Sequence, residues 1–350
     1  MDEIMEVVCE RQGEAGLITL NRPKALNALT LTMVRDMRRA LDSWAQDPAV
    51  TRVVVQGAGE KAFCAGGDIR RLTDLLRAGE RNEALTFWRE EYQLNALIKR
   101  YPKPYISLID GIVMGGGVGV SLHGSHRVAG ERYLFAMPEV GIGFFPDVGA
   151  TYALPRLPGQ TGMYLALTGE RVKRADAVSL GLATHAASSD SIEALRQALI
   201  EGMPVEQALL GASADPGPAP ISANRPVIDS CFSADSVGAI LQRLDEAAAQ
   251  GSEFAAKTAA GMRTKSPTSM TIAFEQVRRG GSLDFEEAMR TEFRIVSRIG
   301  DGNDFFEGVR AVLIDKDNKP RWQPDSLDGV KKEAIDRHFA SLGDQELEIA

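Results

Sequence analysis

At 350 residues, 44% of them hydrophobic and 25% charged, the chain has ordinary globular composition and enough length for one large domain or two modest ones. A formal net charge of −8 argues against a general nucleic-acid or membrane-surface binder, which would show a basic face, yet leaves room for a small anion at a locally positive site. Three scattered cysteines, Cys9, Cys64 and Cys231, form no CxxC pair, which fits a reducing compartment and argues against a disulfide framework or structural zinc.

The acidic start MDEIMEVVCERQ carries no basic-plus-apolar leader pattern, and no run of ~20 apolar residues marks a membrane span. A soluble, cytoplasmic protein is the expectation. EVVCERQGEAGLITLNRP then reads as a strand, a glycine turn and a second strand. Thr30 precedes LTMVRDMRRALDSWAQ, whose Leu31, Val34, Met37 and Leu41 make a helical stripe. TRVVVQGAG predicts a short buried strand, a helix follows FCAGGDI, and RNEALTFWREEYQLNALIKR predicts a polar helix running up to Pro102. PYISLIDG predicts another strand, GGGVGVSLHG a helix opened by glycines, and HRVAG and YLFAM two more extended pieces. Strands and helices alternate to about residue 185, the pattern of an α/β unit, and no internal repeat stands out. The stretch SADPGPAPISANRP, residues 213–226, reads as a connector. Beyond it SVGAILQRLDEAAA, KSPTSMTIAFEQVRRG (capped by Ser266) and FEEAMRTEFRIVSRI predict helices. The expected organisation is an α/β core over residues 1–212, that connector, and a mainly helical region over residues 227–350.

Four features could carry chemistry. In FCAGGDI, glycines after a strand let a backbone N–H approach a ligand, although a tight turn capped by Asp68 explains the same residues. Cys64 has no histidine near it in sequence and reads as structural. Gly115-Gly116-Gly117-Val118-Gly119 would gather unpaired N–H groups at a helix start, which suits an anion or a developing oxyanion; close helix packing explains it equally. It lacks the Gly-Lys-Ser/Thr of a phosphate-binding Walker loop, and Gly119-Val120-Ser121-Leu122-His123 departs from a hydrolase elbow at its last position. His123 and His126 have no further ligands beside them in the pattern, so no metal site is expected. The stretch FAMPEVGIGFFPDVG, Phe135 to Gly149, is almost wholly apolar or glycine yet holds Glu139 and Asp147, each after a proline. Burying a carboxylate is costly unless it is paired, and desolvation would raise the pKa of Glu139 and make it a usable base or nucleophile. Asp147 could instead cap a helix over VGATYALPRL.

Taken in order, NRPKALNALT, KAFCAGGDIR, KPYISLIDGIVMGGGVGVSLHG, FAMPEVGIGFFPDVGATYALPRL and LALTGERV resemble the crotonase (enoyl-CoA hydratase/isomerase) superfamily. WREEYQLN, MGGGVG and DFFEGVRAVLIDKDNKPRWQP are most similar to its branch that hydrolyses 3-hydroxyisobutyryl-CoA, and the likeness covers nearly the whole chain. The resemblance implies an α/β fold: a crotonase-like spiral of ββα units with a helical C-terminal region covering the active site. It implies an acyl-CoA substrate and no separate cofactor, because CoA is part of that substrate. Charge and residue pattern lead to no expected nucleic-acid, membrane or metal partner, and the resemblance is compatible with a homo-oligomer, trimers being frequent in the superfamily.

Carried over position by position, Gly67 and Gly116 would supply the two N–H groups that hold the thioester oxygen. Lys24, Ala25 and Leu26 match the segment that meets the nucleotide end of CoA, and Ala65 is a further substrate-binding position. The superfamily's hydratases use two glutamates flanking a water; the first falls on Gly119 here and the second on Glu139. In the hydrolase branch the first position is glycine and an aspartate follows the glutamate eight residues on, which is Asp147. The resemblance therefore implies that Glu139 attacks the thioester carbonyl, or activates the water that does, while Asp147 receives the substrate's 3-hydroxyl. Glu91 of WREEY matches a substrate-contacting position, although by itself it reads as a solvated helix residue. The implied products are 3-hydroxyisobutyrate and CoA, a step of valine breakdown. An enoyl-CoA hydratase or isomerase, or a non-catalytic acyl-CoA-binding protein, are the alternatives.

Overall fold

The computed structural model describes residues 5–349; residues 1–4, part of the stretch read for a leader, lie outside the described residues, as does residue 350. The chain divides into two compact units that interleave along it. One comprises Met1–Asp68, Glu90–Phe135 and Arg171–Ala219; the other comprises Ile69–Arg89, Ala136–Glu170 and Pro220–Ala350.

In chain order the strands are β1 (Val7–Gln12), β2 (Ala15–Leu20), β3 (Arg52–Gly57), β4 (Ala62–Cys64), β5 (Tyr105–Ile109), β6 (Ile112–Met114), β7 (His126–Ala129), β8 (Leu134–Ala136), β9 (Val172–Lys173) and β10 (His185–Ala186). They form a six-stranded sheet of order β1-β2-β3-β5-β7-β10 and a four-stranded sheet of order β4-β6-β8-β9. β1 and β2 make an antiparallel hairpin about Gly13 (φ 55°), and β2 to β10 then run parallel across the larger sheet. From β3 to β8 each pass of the chain gives one strand to the larger sheet and the next to the smaller: β3 then β4, β5 then β6, β7 then β8. Helices intervene, so the repeated unit is ββα, on an α/β fold with parallel sheets.

The alternation of β2 explains how the larger sheet is covered. Ala15 and Leu17 join Val54, Ile106, Leu108 and Val128 in a core with Leu195, Leu199 and Leu209 of helices Ser189–Ile200 and Val205–Ala212. Gly16 points the other way, where a Cβ would fall 2.4 Å from Trp44 Cε3 of helix Leu31–Gln46. Thr30 caps that helix, its hydroxyl accepting the Met33 N–H at 3.2 Å.

The second unit is helical. Ser266 opens helix Pro267–Gly280 by accepting the Ser269 N–H at 3.0 Å, and Asp284 opens helix Phe285–Ile299 by accepting the Glu287 N–H at 2.8 Å. Gly280 lets the first approach the chain at Thr151, whose carbonyl oxygen lies 1.9 Å from where a Cβ would stand. The Phe144 ring stacks on Trp88 at 5.9 Å and contacts Phe145 at 4.7 Å and Phe305 at 5.2 Å. These rings account for the apolar character of the segment carrying the two acids.

Three sequence readings shift. GGGVGVSLHG yields a helix of only four residues, Gly116–Gly119, because glycine propagates a helix poorly. VGATYALPRL gives Ala150–Ala153 and then a 3-10 turn, Leu154–Arg156, because Pro155 has no N–H to continue the ladder. Within residues 213–226 the chain is helical from Ile221, in helix Ile221–Cys231, which contains Pro226. No helix among the described residues is long and apolar enough to cross a membrane.

Candidate active site

In the first unit two glycine amides come together. β4 ends at Cys64, and Gly66 turns the chain with φ 124°, a conformation that admits glycine. The Leu29 N–H donates to Gly66 O at 2.8 Å and the Asp68 N–H to Leu29 O at 2.9 Å, so the ladder steps over Gly67. Gly116 follows the turn at Gly115 (φ 46°) and is the first residue of its short helix, where N–H groups have no intrahelical acceptor. Among the described residues neither the Gly67 nor the Gly116 N–H donates a hydrogen bond. A Cβ at Gly116 would fall 3.3 Å from the Gly66 carbonyl carbon, the atom bonded to the Gly67 nitrogen, and 2.6 Å from Glu91 Oε1. Packing explains why Gly117 is glycine, its Cβ position lying 2.2 Å from Cys64 O. Packing does not explain two unused donors side by side.

Beneath this turn the Cys64 thiol donates to Gly66 O at 3.5 Å, and burial pushes its pKa up to about 12. It is a fully buried thiol, in line with the structural reading of the sequence. Glu91, on helix Arg81–Lys99, is only 2% exposed, so the solvated-helix reading gives way to a buried acid against Gly116.

Lys24 and Ala25 lie exposed on a 3-10 turn, Pro23–Ala25, and Leu26 is half-buried after it. Leu26 (φ 52°) and Asn27 (φ 57°) are both left-handed, and the buried Asn27 side chain holds them there. Its Nδ2 donates to Ala58 O and Ala62 O at 2.9 Å each, and its Oδ1 accepts the Arg22 N–H at 2.9 Å. The Ala65 N–H donates to Leu26 O at 3.0 Å, tying that position to the same turn. A cleft of about 380 Å³ is lined by Lys24, Leu26, Asn27, Gly59, Glu60 and Lys61. Lys61 was passed over in the sequence although it opens the quoted KAFCAGG segment; with Lys24 it gives the cleft a local excess of positive charge that the total conceals.

In the second unit Glu139 and Asp147 are brought together. Glu139 begins a 3-10 turn, Glu139–Ile142, after Pro138, and is 6% exposed. Gly143 (φ 70°) closes that turn, with the Phe144 N–H donating to Glu139 O at 3.0 Å. Glu139 Oε2 has no hydrogen-bond partner among the described residues. Its pKa is raised well above the ordinary value, first by burial and then by the charge of Asp147. Asp147 is 5% exposed, followed by Val148 (φ 52°) and Gly149 (φ 90°). Gly149, rather than Asp147, occupies the cap position of Ala150–Ala153. A third acid was missed in the sequence: Glu292 is wholly buried, and the Asp147 charge, after burial, also acts on it. The signal was available, because Phe285, Ala288, Met289, Glu292, Phe293, Val296 and Ile299 form one helical stripe with an acid inside it.

Comparison with known proteins adds relationships to this geometry. The family described as Enoyl-CoA hydratase/isomerase matches residues 15–339. A protein of Xenopus tropicalis named 3-hydroxyisobutyryl-CoA hydrolase, mitochondrial, is 47% identical, covering 98% of this chain and 91% of its own. Its namesake in Danio rerio is 46% identical over 98% of this chain and 92% of its own. Among solved structures, a carnitinyl-CoA dehydratase from Mycobacterium thermoresistibile superposes with a TM-score of 0.93 at 41% identity, covering 98% of both chains. The cytoplasmic expectation drawn from the N-terminal residues is corrected by these names: the matching relatives are mitochondrial proteins.

Proposed function

The chain belongs to the enoyl-CoA hydratase/isomerase family, and from that premise we propose that it hydrolyses 3-hydroxyisobutyryl-CoA to 3-hydroxyisobutyrate and free CoA. The observation that carries this reading is the pair of buried acids, Glu139 and Asp147, together with glycine at position 119. Adding water across a double bond calls for an acid and a base on one side of the substrate; hydrolysis of a thioester needs one carboxylate and a polarised carbonyl.

Glu139 attacks the thioester carbonyl carbon, or takes a proton from the water that attacks it. Charge then develops on the carbonyl oxygen, which accepts from the Gly67 and Gly116 N–H groups, each such donor lowering the barrier by about 3 kcal/mol. The C–S bond breaks and its electron pair leaves on the CoA sulfur; water supplies the new carboxylate oxygen, either directly or by cleaving the Glu139–acyl anhydride and so freeing Glu139, and a proton released by that water ends on the CoA thiolate. Asp147 receives the 3-hydroxyl, which would discriminate against an acyl chain lacking it because a buried acid would lose its partner. Glu91 contacts the acyl portion, Ala25, Leu26 and Ala65 line the path of CoA, and Lys24 meets its phosphates. CoA enters as part of the substrate, so the reaction calls for no separate cofactor. A place in valine breakdown and a homo-oligomeric assembly belong to the same reading.

The carnitinyl-CoA dehydratase from Mycobacterium thermoresistibile favours a second reading, water addition to or loss from an acyl-CoA. One assay separates them. With 3-hydroxyisobutyryl-CoA and a thiol reagent the protein should release thiol, and Glu139→Gln should lower kcat about 10³-fold. Thiol release no faster than that of the variant would reject hydrolysis. Loss of enoyl absorbance from crotonyl-CoA without free thiol would establish the second reading instead.

A further inference from the structure

Glu292 is a buried acid that the reaction above does not use. It is 0% exposed and sits on the apolar stripe of helix Phe285–Ile299, where an ionisable group is costly unless it is compensated. Its compensation comes from one place, the turn that follows Asp147. Oε2 accepts the Gly149 N–H at 2.8 Å and Oε1 accepts the Thr151 N–H at 2.9 Å.

That turn needs holding. Val148 is β-branched and left-handed at φ 52°, a strained combination that persists only where the surroundings impose it. Gln276, from helix Pro267–Gly280, grips the same segment on both flanks, its Nε2 donating to Pro146 O and, at 2.7 Å, to Thr151 Oγ1. Side chains from two helices thus converge on Pro146–Thr151, and the residue carried between their attachment points is Asp147. Burial and the neighbouring Asp147 charge push the Glu292 pKa up to about 8, while the Gly149 and Thr151 donors pull it down. Two convergent N–H donors call for two acceptor oxygens, which a carboxylate has; an amide would turn its NH₂ against one of them.

We propose that Glu292 is a positioning residue: by fixing the Val148–Thr151 turn it sets the direction in which Asp147 meets the substrate's hydroxyl. The inference rests on the assignment of that hydroxyl to Asp147.

The test compares wild type, Asp147→Asn and Glu292→Gln on 3-hydroxyisobutyryl-CoA and isobutyryl-CoA, read as thiol release. Glu292→Gln should lower kcat/KM about 30-fold for the hydroxylated substrate and less than about 3-fold for the plain one, moving its preference towards that of Asp147→Asn. A structural role alone would lower both substrates equally; equal losses, or no loss, would overturn the inference. If Asp147→Asn itself keeps the wild-type preference, the hydroxyl assignment fails and takes the inference with it. If Glu292→Gln shows no cooperative thermal unfolding, Thr151→Val carries the comparison. It keeps the side-chain shape while removing the hydroxyl that Gln276 and Glu292 share. A preference for the hydroxylated substrate reduced about 3-fold would support the inference, and an unchanged preference would overturn it.

Discussion

Glu139 binds its proton more tightly in the folded chain than the unfolded chain does, because burial and then the Asp147 charge raise its pKa above 4.5. Above pH 4.5 the unfolded state has released a proton that the folded state still holds. Stability is therefore greatest at or below that pH and declines as pH rises towards the raised folded value, by at most about 1.4 kcal/mol per pH unit. Replacing the acid removes the penalty. Glu139→Gln should melt higher than wild type at pH 8 and gain nothing at pH 4, as calorimetry would show; the same difference at both pH values would contradict this origin. In the proposed mechanism the ionised form reacts, so kcat/KM should climb with pH across the same window. On that mechanism one side chain would both lower stability and supply reactivity. Glu139 and Asp147 were legible in the sequence because acids are out of place in an apolar run. Glu91 and Glu292 were less so, since their helices carry enough other charge to hide one acid facing inward.

Among the elements, long strands and helices could be read directly, because β-branched runs such as RVVVQG, helical stripes and a cap residue such as Ser266 act locally; the caps Thr30 and Asp284 emerged from the structure. The ββα repeat could not. Its smaller-sheet strands are two or three residues long, and the helical insertions between successive turns differ in length, so no fixed period survives in the sequence. The turn at residues 22–27 was recognisable as a motif but not as a held conformation, which depends on Asn27 reaching Ala58 and Ala62 far along the chain. Asn27→Ala forfeits three hydrogen bonds and leaves buried carbonyls unsatisfied, a loss of about 2–3 kcal/mol. Because the released element carries Lys24 and Leu26, KM for the acyl-CoA should rise about tenfold with kcat nearly unchanged. A fall in kcat at constant KM would show that the turn does not act through CoA.

For the molecule as a whole, the sequence suggested an α/β part followed by a helical part, whereas the compact units alternate along the chain. The segment Ala136–Glu170, with both acids, belongs with Pro220–Ala350, whose helices provide the Gln276 and Glu292 contacts. Ending the chain at residue 219 would leave that segment's apolar side chains uncovered and its backbone donors at Gly149 and Thr151 without acceptors. In such a truncation the Gly149 and Thr151 amides should lose their protection from hydrogen exchange; retained protection would mean that residues 136–170 hold their conformation without the C-terminal helices.

Cys64 gives the glycine turn a built-in alarm. Disulfide reagents consume thiolate, and burial keeps all three cysteines in the thiol form, with Cys9 and Cys64 both pushed up to about 12. The native protein should therefore stay nearly colourless under the reagent that detects released CoA. Slow colour traced to Cys64 would count the moments when the backbone at Gly66 lets go, recording on the protein itself how durable the turn carrying the Gly67 amide is.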